Sequence, residues 1–154
     1  MSKVGRAAYS ASRARLEVVN ADKTISKNES GELYVLYQTG EGPLTITLPS
    51  DAEEGTRYNF WITNEPEGDD IILSSPSPSD FHGAVTFVEM VGAGPALAPV
   101  QVIATSGDNT LTIQSDTDPG SWIDCVYSTQ NSATGEWFIC GFVSADTTPA
   151  FTTV

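Results

Sequence analysis

No stretch between residues 16 and 143 keeps a helical repeat. Apolar and polar residues instead alternate in short runs, each broken by a turn word rich in Gly, Pro, Asn or Asp. Leu44-Thr45-Ile46-Thr47-Leu48 is one such run. Pro49, an acidic turn and Gly55 follow it, and then comes Arg57-Tyr58-Asn59-Phe60-Trp61-Ile62. A period of two is the signature of a strand with one face in a core, and turns every ~8–12 residues mark an all-β sandwich or barrel. The pattern predicts strands over 16–19, 33–37, 44–48, 57–62, 71–74, 84–91, 99–105, 111–115, 122–128 and 136–143. The expected fold is a single all-β domain over 16–143, a sandwich or barrel of about ten short, mainly antiparallel strands. An extended basic arm over 1–15 precedes it and an extended tail over 144–154 follows, although Phe151 would be wasted on a frayed end.

The second run raises a question. Tyr58, Phe60 and Ile62 alternate with Asn59, Trp61 and Thr63, so a one-sided sheet leaves Trp61 on the wet face. Trp122–Tyr127 and Trp137–Phe142, flanking the turn at 131–135, raise the same question. Placing Cys125 opposite Cys140 sets Tyr127 against Phe138 and Ile123 against Phe142 as one core plate. Val126, Ile139, Val143, Trp122 and Trp137 then fall on the other face. That is more apolar strand surface than one core needs, so Trp61, Trp122 and Trp137 are expected on an oligomer or docking face; the alternative is a three-layer or barrel interior with the indoles lying flat.

Charge narrows the partners. The 154 residues carry a net charge of −13, unevenly spread. Residues 1–27 hold six cations against two acids, whereas the rest hold only Arg57 against eighteen acids. Such a body repels nucleic acid and anionic membrane. Lys3, Arg6, Arg13 and Arg15 in the arm are expected to lie on an acidic surface of a neighbouring copy or another protein; the alternative is a solvated tail. No apolar run has the length of a membrane span. The first nineteen residues lack the apolar centre of a secretory signal, so synthesis in a cytoplasm is expected. Cys125 and Cys140 then read as reduced, buried thiols.

Catalytic chemistry is hard to place. His82 is the single histidine and sits beside a Pro/Ser-rich segment, so it reads as a loop residue rather than a base. The carboxylates Glu53-Glu54, Glu65–Asp70 and Asp116–Asp118 lie in turn words and read as solvated loops. Asp116-Thr117-Asp118 opens like a calcium loop but lacks its later acids, and Glu65–Asp70 offers oxygen to a cation without a defined motif. The expectation is no catalytic residue, no cofactor and no metal.

Taken together, Thr45-Ile46-Thr47-Leu48-Pro49, Gly55-Thr56-Arg57-Tyr58-Asn59-Phe60 and the closing Gly135-Glu136-Trp137-Phe138-Ile139-Cys140-Gly141 resemble small β-rich virion proteins of tailed bacteriophages. These are the head decoration (cement) proteins, with relatives among head fibres, and the resemblance covers residues 28–143. It implies a non-enzymatic structural protein, made in the host bacterial cytoplasm and placed on the capsid exterior. Such proteins are commonly trimers that clamp neighbouring major capsid subunits. A second reading is a receptor- or carbohydrate-binding β module of a fibre or tail, its exposed tryptophans stacking on sugar rings.

Overall fold

The computed structural model describes residues 15–76, 78–89, 98–130, 132 and 134–153. Twelve strands and one short 3-10 turn (Lys27–Glu29) make up its regular structure: β1 Leu16–Val19, β2 Lys23–Thr24, β3 Leu33–Leu36, β4 Leu44–Thr47, β5 Arg57–Ile62, β6 Ile71–Ser74, β7 Phe81–Glu89, β8 Val100–Ile103, β9 Thr110–Ile113, β10 Trp122–Ser128, β11 Glu136–Ala145 and β12 Ala150–Thr152. They form two sheets, seven-stranded β1-β3-β5-β10-β11-β7-β8 and five-stranded β12-β9-β6-β4-β2, consistent with a sandwich and not a closed barrel.

The all-β expectation holds, but the strands are not mainly antiparallel. Five strand pairs are parallel and five antiparallel. The first six strands alternate between the sheets, so β1, β3 and β5 become parallel neighbours in one sheet and β2, β4 and β6 in the other. A parallel pair needs a crossover between its members. Here a strand of the opposite sheet serves as that crossover. The segment 44–62 is therefore not a hairpin: β4 pairs with β2 and β6, while β5 pairs with β3 and β10. The loop at 48–56 crosses between sheets, with Leu48 and Pro49 buried beneath it.

The core lies between the sheets and follows the period of two. Tyr34, Tyr58, Phe60, Tyr127 and Trp137 form an aromatic chain across β3, β5, β10 and β11. Tyr34 stacks on Phe60 at 5.5 Å, Tyr58 lies 5.8 Å from Trp137, and Tyr127 meets Trp137 edge-on at 5.1 Å. Leu44, Ile46, Ile71, Leu73, Leu111 and Ile113 close it from the five-stranded sheet. Burying each such side chain contributes about 1.5–3 kcal/mol. The expected C-terminal tail carries a strand: β12 pairs with β9, and Phe151 packs edge-on against Phe81 at 6.3 Å.

Hydrogen bonds in three turns explain the acid-rich words. Asp69 accepts from the Gly42 amide at 2.8 Å, Asp70 from Ser115 at 3.0 Å, and Asp118 from the Ser144 hydroxyl at 2.8 Å. Glu54 accepts from the amide and hydroxyl of Thr129 and from Ser128, which hold its carboxyl below the usual glutamate range. These acids tie loops together.

Candidate docking face

The hairpin register decides which side chains point outward. The structure pairs Asp124 with Cys140 and Cys125 with Ile139, one residue away from the expected Cys125–Cys140 pairing. A slip of one residue moves a whole strand's side chains to the opposite face. On β10 the expectation survives: Ile123, Cys125 and Tyr127 are buried, and Trp122 and Val126 are exposed. On β11 it inverts. Trp137, Ile139 and Val143 are in the core, while Phe138, Cys140 and Phe142 face outward. Trp137 is 0% exposed and is therefore not part of an oligomer face in this fold.

Glycines show why this register wins. A side chain at Gly141 would place Cβ 2.5 Å from the Trp122 carbonyl oxygen and 2.7 Å from Ile123 Cδ1, so position 141 must face inward over Ile123 without one. Gly135, at φ 73°, packs under the Tyr127 ring, whose hydroxyl donates to the Thr134 carbonyl at 2.9 Å. The turn thus delivers Trp137, not Phe138, beside Tyr127.

The outer face of the seven-stranded sheet then assembles in rows. One row runs Val18, Val35, Trp61, Trp122, Phe142, Thr86 and Gln101 across seven strands. The next runs Leu16, Leu33, Asn59, Asp124, Cys140, Ala84 and Ile103. A third holds Arg57, Val126, Phe138 and His82. Trp61, 52% exposed, and Trp122, 37% exposed, are direct cross-strand neighbours. Six of the eight large apolar side chains most exposed among the described residues belong to this one face: Leu16, Val18, Trp61, Ile103, Trp122 and Val126. Scattered exposed apolar residues need no explanation, but a contiguous belt makes this face the candidate for an interaction surface.

The polar groups on this face are paired with one another. Asn59 Nδ2 donates to Asp124 Oδ1 at 2.7 Å, Arg57 lies 3.6 Å from the other Asp124 oxygen, and His82 Nε2 lies 3.4 Å from Glu136. His82 is a strand residue, not the loop residue expected. Next to it Gly83 has φ 116°, and a Cβ there would collide with the Ile139 carbonyl oxygen. Cys140 is a free, exposed thiol in the second row, and Cys125 is a free thiol wholly in the core. Burial pushes the Cys125 thiol up most, and burial and then Asp124 push that of Cys140 up.

The remaining candidates lie elsewhere. Arg15 pairs with Glu32 at 3.4 Å beside the start of β1, whereas Lys3, Arg6 and Arg13 lie outside the described residues. Glu17, Glu29 and Glu32 bring carboxylate oxygens within 4.8 Å of one another, and the Lys23 ammonium bridges Glu17 at 2.8 Å and Glu29 at 2.9 Å. The cluster thus carries its own counter-charge. Sequence reasoning missed Leu16, Val18, Phe138 and Phe142 as face residues, although Leu16 and Val18 alternate with Glu17 as an outward pair would.

No model of a known protein family matches the chain, and no curated protein matches it. Among the described residues, no helix is long and apolar enough to cross a membrane.

Proposed function

We propose that this is a non-enzymatic structural protein that acts by docking on other protein surfaces, as a decoration protein on the exterior of a tailed-phage capsid. The apolar belt through Val18, Val35, Trp61, Trp122 and Phe142 carries the reading. It offers two adjacent indoles and flanking aliphatic side chains, with neighbouring polar groups already satisfied. That composition suits a protein–protein contact, whose buried centre is rich in aromatics and poor in unpaired charge. The resemblance to cement proteins supplies the kind of partner, the major capsid protein. The basic stretch before Arg15 would add weak, salt-sensitive contacts to an acidic strip. Sugar stacking on Trp61 and Trp122 is the less favoured use, because Asn59 and Asp124 spend their hydrogen bonds on each other.

The test is mass action. A ligand that binds only the assembled shell stabilises that shell. Expanded shells of the phage whose genome encodes the chain should co-sediment with it and melt at higher temperature when saturated. Identical shell melting curves with and without the protein would refute the reading, and binding to a glycan array instead would favour the sugar module.

A further inference from the structure

We propose that the face's first occupant is a second copy of this chain, two seven-stranded sheets packing face to face about a twofold axis. The inference rests on reading this face as a docking surface and concerns the free protein, in which a second copy occupies the face before the major capsid protein competes for it.

Charge selects the partner. The whole chain carries −13, and a surface built to meet a basic partner would gather those acids. This face does the opposite. The one carboxylate within its three rows is Asp124, engaged by Asn59 and Arg57; at the border beyond the third row lie Glu136, beside His82, and Glu54, held by Ser128 and Thr129. The acids of the Glu65–Asp70 and Asp116–Asp118 turns lie outside its three rows. A strongly acidic chain repels its own copies wherever those acids meet, and this face is a place where two copies approach with little charge left unpaired. Burying an unpaired charge is among the costliest events at an interface, so a face with internally paired charges suits self-contact.

Size and shape agree. Seven strands spaced about 4.8 Å apart span about 29 Å, and rows extending about 20 Å along the strands give about 600 Å² in plan. Two such faces bury about 1,200 Å² in total, the lower end of the range for a specific interface. Two sheets meet face to face about 10 Å apart with side chains interleaved, the arrangement already used inside the sandwich. Trp61 and Trp122 lie in the first row, side by side on β5 and β10 near the middle of the sheet, where an indole fills the gap between sheets. A face that meets its own copy is isologous and closes at two, whereas the trimer implied by the resemblance requires contact between two different surfaces.

Cys140 supplies a second, independent readout. Its thiol is exposed in the row between Asp124 and Ala84 in the single chain, and a face-to-face dimer covers it. Cys125 is core in either state.

The experiment uses the full chain under reducing conditions from about 1 to about 200 µM, a range bracketing micromolar dissociation constants. Sedimentation velocity and light scattering should move from 16.4 kDa towards twice that mass as concentration rises. Trp61→Ser and Trp122→Ser should each raise the midpoint at least tenfold, with circular dichroism spectra unchanged. Alkylation of Cys140 by a maleimide should be slow in the dimeric range and faster on dilution or in either variant, with Cys125 protected throughout. A mass of 16.4 kDa across the range would overturn the proposal. So would a threefold mass, a dimer that survives the double variant, or Cys140 labelling independent of concentration. Capsid co-sedimentation separates this proposal from the reading beneath it. A monomer held on shells through Trp61 and Trp122 overturns the dimer and leaves the decoration role standing, while a dimer that ignores shells does the reverse.

Discussion

Trp137 and Trp61 are both strand tryptophans, and the register gives them opposite duties. Trp137 is 0% exposed and touches the rings of Tyr127 at 5.1 Å and Tyr58 at 5.8 Å. Truncating a buried Trp to Ala costs about 3–5 kcal/mol, from lost transfer energy plus the cavity left behind. The two ring contacts place Trp137→Ala in the upper part of that range. For a domain of about 150 residues each kcal/mol lowers Tm by ~2–4 °C, so a fall of about 10–20 °C is expected. Trp61 is half in water, and Trp61→Ala should stay within about 1 kcal/mol of the parent in the monomer. Trp137→Phe refines the test. The indole Nε1 is buried without a hydrogen-bond partner, so removing it relieves a desolvated donor while shrinking the ring. A cost of about 1–2 kcal/mol is expected, well below that of the alanine variant. Urea unfolding followed by far-ultraviolet circular dichroism, at concentrations where mass action from self-association is negligible, measures all three. If Trp137→Ala is as mild as Trp61→Ala, β11 is in the other register and the face described here does not exist.

Gly83→Ala should lower stability by about 3 kcal/mol or more, read from the same urea midpoints, because a non-glycine residue there is both strained and in collision; the backbone sits at φ 116° and the new Cβ would collide with the Ile139 carbonyl oxygen. A midpoint unchanged from the parent would show that β7 and β11 are not paired as described. The Lys23 network should give an acid-side pH dependence. Burial alone would raise the Glu29 carboxyl, but hydrogen bonds from Lys23 and the Ser26 amide outweigh it and hold it below its ordinary 4.5. A depressed folded value means the unfolded chain takes up the proton first, so the contribution is complete above 4.5 and disappears as pH falls through the folded value. Urea midpoints should therefore fall less steeply in Glu29→Gln than in the parent as pH drops below 4.5, and parallel curves would remove Glu29 from the account.

The strands were legible in the sequence and their partners were not. Alternation is a local property, and it located β1, β3, β4, β5, β6, β8, β9, β10 and β11 to within a residue or two at each end. Pairing is non-local, and the turn word at 49–56 carries no mark that separates a hairpin from a crossing to the other sheet. Both need the same Pro, Gly and acids, because both reverse the chain in water. The two strands that escaped notice, β2 and β12, have two and three residues, too few for a period to show. His82 was misplaced for a related reason. Gly83 breaks the alternation, and a strand glycine at positive φ resembles a loop glycine until its neighbour across the ladder is known.

The docking face was half legible, and a glycine marks the missing half. An apolar run with large residues at every position, such as Trp137-Phe138-Ile139-Cys140-Gly141-Phe142, has no preferred face by hydrophobicity alone. Pairing the two cysteines filled that gap with a chemical likeness that carries no force between reduced thiols. Packing does carry force. Gly141 is the position where a side chain cannot fit, and crowding by Ile123 and the Trp122 carbonyl exists only on the core side of β10. Putting Gly141 inward forces Trp137, Ile139 and Val143 inward with it and turns Phe138, Cys140 and Phe142 outward. The outward set meets Trp122 and Val126 from β10 and Trp61 from β5, and the belt is complete. The excess apolar surface visible in the sequence is therefore real, but it belongs to one side of one sheet. That side holds only Asp124, Arg57 and His82 as charged or basic groups in its three rows, so a largely apolar face follows from one glycine that cannot bear a side chain.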